Sequence, residues 1–566
     1  MNKFRFLFLS VVLVIASSCN RDEVITTQPA PEIIIESDGI YSVMVGEEVR
    51  LAPDYRNAEG AKFEWVVDEE VVCTERAYVF MSEEIGEYYV TLTVTTDAGS
   101  DSEEMRIDVT AHDTPAIDIA MEDVTVAEGF KQTITATLRK TEHECEVTWM
   151  VNDEEVAKDV TSYEFEAVEV GTYRIVATAS NPHGEASDSV TITVVNAEDL
   201  DLIYEFEATE YHITAGRTLL IRPSQVNKSE GVTYTWTLDG EEQGAETNRA
   251  HYIFNSTEVG THTLGVKATT YINTPIEVSH TFTIEVIEEG KYRRERTATS
   301  ASVFSHVVEY LPAPGQFIGE TKTGGFTGEE LTAEDAAAYA EERLRQNNWV
   351  SLGAFGGYIV VAFDHSIENI SGADIAITGN SFNGSSEPGV VWVMQDENGN
   401  GKADDTWYEL RGSETGKGST IQEYEVTYYR PTSSGMPVGW TDNKGGSGTI
   451  DYLASFHNQP SYYPTWIAAD SYTLRGTRLE ARNYDKSGNG SMWVQPAYDW
   501  GYADNASERD CADAVNSLNI DNAIDILGKP IKLEYVDFVK VQSAVQSKSG
   551  WLGELSTEVC NIVEIM

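Results

Sequence analysis

The residues best suited to chemistry in this chain lie in one loop. From Val393 to Leu410 the sequence reads VMQDENGNGKADDTWYEL, with Asp396, Asn398 and Asn400 at alternate positions, then Gly401, Lys402 and the pair Asp404 and Asp405. Calcium takes about six to eight oxygen ligands, and side chains at loop positions 1, 3 and 5 converge when a glycine at position 6 turns the backbone sharply. Asp396, Asn398, Asn400 and Gly401 occupy those positions, and Lys402 at the seventh offers its carbonyl. Trp407 stands where a closing carboxylate is usual, so Asp404, Asp405 or water must complete the shell. The pattern predicts a structural calcium clamp between two strands. Its metal-free counterpart is a long Asn-Gly hairpin turn.

That loop resembles dockerin and thrombospondin-type calcium loops, shortened so that a strand follows it. Nothing comparable points to catalysis. The chain has no G-x-S-x-G elbow, no H-E-x-x-H and no Walker A loop. His306, His365 and His457 are widely separated, and no spacing among the many carboxylates singles out a glycosidase pair. The expectation is a protein that is not an enzyme.

Aromatic residues instead cluster in Gly/Asn/Pro-rich stretches. GMPVGWTDN carries Trp440; SFHNQPSYYPTW carries His457, Tyr462, Tyr463 and Trp466; GNGSMWVQPAYDWGYADN carries Trp493, Tyr498, Trp500 and Tyr502. Proline and glycine deny these stretches long strands, so the rings are predicted on loops. There they would offer rigid apolar faces with hydrogen-bonding edges to a large amphipathic ligand, whereas the same rings in a Trp-rich β domain would serve as core.

The elements that position these residues follow from length and periodicity. At 566 residues the chain exceeds one core. Its 93 acidic against 39 basic residues give a net charge of −54, which repels phosphate backbones and excludes nucleic acid as a partner. Residues 1–18 join Lys3 and Arg5 to a short apolar run and then to Ser17-Ser18, a secretory leader. Small residues before Cys19 resemble the lipobox of bacterial lipoproteins. This implies lipidation of Cys19, membrane attachment through that lipid alone, and a tether over 19–30. The acidic Asn20-Arg21-Asp22-Glu23 resembles Bacteroidota surface-export signals, which implies a surface-exposed position on the outer membrane. Cys73, Cys145, Cys511 and Cys560 form no C-x-x-C, and the last two are either a pair or free thiols.

Residues 31–111, 114–197 and 200–289 repeat one plan. FEW, VTW and YTW, ending at Trp65, Trp149 and Trp236, each precede an acidic turn, and Gly86, Gly171 and Gly260 each open a run of period-two alternation. Alternating β-branched and aromatic residues between turn residues predict three tandem β-sandwiches with Trp as core plug. The pattern resembles the PKD-like and immunoglobulin-like spacer modules of bacterial surface proteins, although the usual Trp-Asp-Phe-Gly-Asp-Gly run is absent, and it implies a stalk. A basic junction from Lys291 to Arg296 leads to residues 297–566, which hold eight of the eleven Trp. One helix follows Thr332, capped by Thr332 and Asp335, and the rest reads as short strands. The fold class is mainly β: three sandwiches and a larger jelly-roll-like domain with one or two helices.

The C-terminal region resembles the surface-exposed cobalamin-binding accessory lipoproteins of Bacteroidota. The matching stretches are LGAFGGYIVVAFD, GNSFNGSSEPGVVWVMQDENGNGKADDTWYEL, AYDWGYADN and VDFVKVQSAV with GWLGELSTEV. The resemblance implies that this domain captures cobalamin or another cobamide as bound cargo and passes it to an outer-membrane TonB-dependent transporter. His457 is the nearest candidate to replace a cobalt ligand. Glycan capture on an aromatic, calcium-stabilised jelly roll, or adhesion without a small ligand, are the alternatives.

Overall fold

The structure, a computed structural model, describes residues 29–35, 38–227, 231–270 and 275–566. Cys19 and the leader lie outside the described residues. No helix among the described residues is long and apolar enough to cross a membrane. The chain divides into two compact units, one ending at Asp113 and one running from Thr114 to Met566.

The first unit is one sandwich. Its larger sheet runs Ile40–Met44, Gly99–Thr110, Gly86–Thr96, Lys62–Val67 and Glu70–Cys73, the first pair parallel and the others antiparallel. The second unit contains two more copies of this order. One is built on Gly171–Asn181 and Glu146–Val151, the other on Gly260–Thr270 and Val232–Leu238. Each central strand carries its Trp fully buried, because period-two alternation sends that residue inward. The indole N–H then needs an acceptor, and each finds a backbone carbonyl: Trp65 reaches Glu75 at 2.8 Å, Trp149 reaches Val160 at 2.9 Å and Trp236 reaches Arg249 at 2.9 Å. The acidic turns are tight because their residues accept positive φ, 48° and 66° at Asp68 and Glu69, 45° and 68° at Asn152 and Asp153.

Residues 297–566, the head, hold three antiparallel sheets of four to six strands and two further two-stranded antiparallel ribbons. Six strands run in the order His306–Leu311, Tyr358–Glu368, Tyr535–Ser543, Gly389–Met394, Trp407–Leu410 and Ala523–Ile524. A four-stranded sheet centres on Val438–Asp442 and Ile421–Tyr429, and another on Val515–Leu518 and Ile375–Thr378. Helix Ala333–Arg345 packs Ala336, Tyr339, Ala340 and Leu344 into the core beneath the six-stranded sheet. Its start is a capping box: the Asp335 N–H donates to Thr332 Oγ1 at 3.1 Å and the Thr332 N–H to Asp335 Oδ2 at 3.0 Å. Cys73, Cys145, Cys511 and Cys560 are free thiols.

The second and third sandwiches pack directly on the head, which corrects the picture of three spacers in a stalk. Asp118 accepts hydrogen bonds from the Thr432 N–H at 3.1 Å and from its hydroxyl. Gly439 lies so close that a Cβ there would come within 2.9 Å of Ala120 and 3.0 Å of Thr137. The basic junction is spent on local acids: Lys291 pairs with Glu285 at 2.8 Å, Arg293 with Glu368 at 2.8 Å, Arg294 with Asp537 at 2.9 Å, and Arg296 with Glu564.

Candidate functional site

The six-stranded sheet has two faces. Val391, Val393, Val539 and Val541 point into the helix-backed core, so alternation sends Trp392 and Lys540 to the other face, where they stand directly opposite each other. Trp407, paired with Met394, and Tyr358, paired with Gln542, stand on that face too. The Lys540 ammonium sits 4.5 Å from the Trp407 ring centre, 5.1 Å from Trp392 and 5.6 Å from Tyr358. Burial lowers its pKa to about 8, with Glu309 opposing that shift. A half-buried ammonium over aromatic faces is a cation–π arrangement.

These residues form one wall of a cleft of about 680 Å³ between the head and the third sandwich. Arg222, paired with Glu423, and Arg475, paired with Glu425, line it together with Glu210, Asp404 and Asp405, so its charges are mixed. Burial, and then Arg475, brings Arg222 down to about 10. Two indoles among charges of both signs suit a bulky amphipathic molecule.

The Asp396 loop forms another part of the wall through Asn398, Asn400, Asp404 and Asp405. Asp396 organises it: Oδ1 accepts from the N–H groups of Gly399 at 2.7 Å and Asn400 at 3.1 Å, and Oδ2 from Gly401 at 2.9 Å. The Asn398 and Asn400 amide nitrogens donate to Asp404 at 2.9 and 3.0 Å. Lys402 is exposed, and its N–H donates to Asn400 Oδ1 at 2.7 Å. Asp405 accepts the Glu397 N–H at 2.8 Å, and its pKa is raised to about 8 by burial and then by Glu397, Asp404 and Asp396. The loop therefore gathers oxygen donors with net negative charge, which fits a cation. Its amide nitrogens face Asp404 as placed, so the two Asn side chains must rotate to present oxygen.

The loop also fixes the cleft. Arg217 of the third sandwich reaches Glu397 Oε1 at 3.2 Å, Gln395 and Glu289, while the Thr214 N–H donates to Glu397 Oε1 at 2.8 Å.

The aromatic residues expected to present loop faces lie elsewhere. Tyr462, Tyr463, Trp466, Tyr498 and Tyr502 are buried in the head's cores, which corrects their placement as exposed rings. Their hydroxyls hold loops from inside: Tyr462 donates to His457 O at 2.8 Å, Tyr463 to Ala469 O at 3.0 Å, and Tyr502 accepts the Glu414 N–H at 2.9 Å. Trp440, Trp493 and Trp500 are half-buried, the last with the Arg509 guanidinium 4.8 Å from its ring centre. His457 sits 3.2 Å from Glu320 and lines a second cavity of about 310 Å³. Trp392, Trp407 and Lys540 lie in regular strands, outside the glycine- and proline-rich stretches. Their signal was the alternation in GVVWVM, TWYEL and VDFVKVQ.

Residues 30–96 match the PKD-like domain family. No curated protein matches the chain. Among solved structures, the titin I-band fragment I67–I69 is 14 % identical, covering 46 % of this chain and 99 % of its own, with a TM-score of 0.20. Three N-terminal domains of the bacteriophage RB49 Hoc protein are 16 % identical over 46 % of this chain and 100 % of theirs, at 0.22. The fibronectin(III)-like modules of Clostridium thermocellum CbhA are 18 % identical over 32 % and 98 %, at 0.17. At TM-scores this low the overlaps say nothing about what the chain binds. The amino-terminal sandwich is PKD-like, and the described chain is mainly β.

Proposed function

We propose that the chain is a non-enzymatic binding protein of the bacterial surface, anchored through Cys19, whose head captures a bulky amphipathic molecule in the cleft at Trp392 and Trp407. A cobamide fits that description: it has broad apolar faces, a rim of amides and a phosphate. The head's resemblance to cobalamin-binding lipoproteins points the same way, with delivery to a TonB-dependent transporter as the role it implies. The observation that carries the reading is Lys540, half-buried with its ammonium 4.5 and 5.1 Å from two indole ring centres, in a cleft of about 680 Å³. Calcium at the Asp396 loop belongs to the same reading, as a clamp on the cleft wall.

The test uses the full chain. Cyanocobalamin should quench tryptophan fluorescence saturably, and Trp407→Ala should weaken the response at least tenfold, on the scale of losing a buried aromatic contact. Quenching by oligosaccharides alone would transfer the site to glycans, and no response to either would leave adhesion. Isothermal titration with calcium, compared with Asp396→Ala, tests the clamp. Loss of palmitate labelling in Cys19→Ser tests the anchor.

A further inference from the structure

The second cavity has a floor unlike the first. Glu387 precedes strand Gly389–Met394, Asp504 sits in a turn with φ of 49°, and Glu558 lies in the short strand Glu558–Val559. Three distant segments thus bring one carboxylate each to a single place, and one oxygen from each lies within 4.8 Å of the other two. That spacing fits ligands around one hard cation with bonds of about 2.3–2.6 Å. Asp504 is held in position by backbone N–H groups, from Asn380 at 2.9 Å and Ser381 at 2.8 Å to Oδ1, and from Glu558 at 3.0 Å to Oδ2.

A second observation points to a missing partner. Glu558 is 3 % exposed and lines the cavity, where its carboxylate meets that of Glu387. Glu554, outside that trio but also 3 % exposed and lining the same cavity, has an Oε2 with no hydrogen-bond partner. The nearby His457 is already paired with Glu320. Buried, unpaired acceptors of this kind are costly unless something supplies the missing charge.

We propose that Glu387, Asp504 and Glu558 bind a divalent cation, calcium, at the floor of the head's second cavity, with Glu554 facing the same space. The site is separate from the Asp396 loop. Open positions on the ion would face the cavity, whose lining includes the exposed rings of Phe456 and Trp551.

The experiment is calcium titration of the full chain by calorimetry and by thermal melting against an EDTA control. Asp396→Ala should keep one calcium site and a calcium-dependent rise in melting temperature. The double variant Glu387→Gln and Glu558→Gln, which keeps shape and removes charge, should melt at or above the wild-type temperature without calcium. In the Asp396→Ala background it should lose at least tenfold in calcium affinity. Loss of all calcium binding in Asp396→Ala alone, or unchanged binding after the two Gln substitutions, would overturn the assignment. A double variant that melts lower without calcium is checked with Glu558→Gln alone, which must show the same loss of affinity.

Discussion

Arg217 of the third sandwich and Glu397 of the head form an ion pair at 3.2 Å with side chains only 4 % and 1 % exposed. Breaking a buried pair strands the surviving charge, at a cost of about 3–5 kcal/mol, whereas replacing both partners with apolar residues costs far less. Arg217→Ala should therefore lower urea stability by roughly that amount and expose the junction near residues 287–300 to protease. Arg217→Met with Glu397→Met should recover most of the loss. Equal stability of Arg217→Ala and wild type would remove the pair from any role in docking.

Trp149 fills the second sandwich and donates its indole N–H to Val160. Trp149→Ala combines a large cavity with an orphaned carbonyl and should cost about 3–5 kcal/mol. The loss should appear in denaturant unfolding. A change below about 1 kcal/mol would contradict the plug role.

The cleft and the buried tyrosines predict different phenotypes. Trp407→Ala should weaken ligand binding and leave the melting temperature close to wild type. Tyr502→Phe removes the acceptor of the buried Glu414 N–H, so it should cost about 1–3 kcal/mol and leave binding unchanged. The reverse pattern, with binding lost in Tyr502→Phe and kept in Trp407→Ala, would return the ligand to the glycine-rich stretches.

Glu409 supplies a pH dependence. Burial raises its pKa from 4.5 to about 7, with the Thr477 hydroxyl opposing the shift. The folded protein therefore holds this proton more tightly than the unfolded chain does. Its contribution to stability falls as pH rises from about 4.5 to 7 and is flat above that range, a change on the order of 3 kcal/mol. Glu409→Gln should flatten that part of the stability profile relative to wild type. Parallel profiles would refute it.

The sandwiches were readable from the chain because their determinants are local: a Trp in an alternating strand, a turn that tolerates positive φ, a glycine opening the next strand. The Thr332 capping box was readable for the same reason. The aromatic cage was not. Alternation placed Trp392, Trp407 and Lys540 on one face, but only the docking of the third sandwich makes that face the wall of a cleft. Tyr462 and Tyr502 misled in the opposite sense, since glycine and proline around them fold the backbone over the rings. Glu387, Asp504 and Glu558 meet only through long-range strand pairing, and no local pattern marks them.

The docking of the second and third sandwiches limits how this architecture can be rebuilt. Asp118, Ala120, Thr137 and Arg217 are committed to the head's surface, so modules between Thr114 and the head cannot be swapped, duplicated or deleted as generic beads. Truncating the chain to residues 297–566 would leave raw faces where those contacts were.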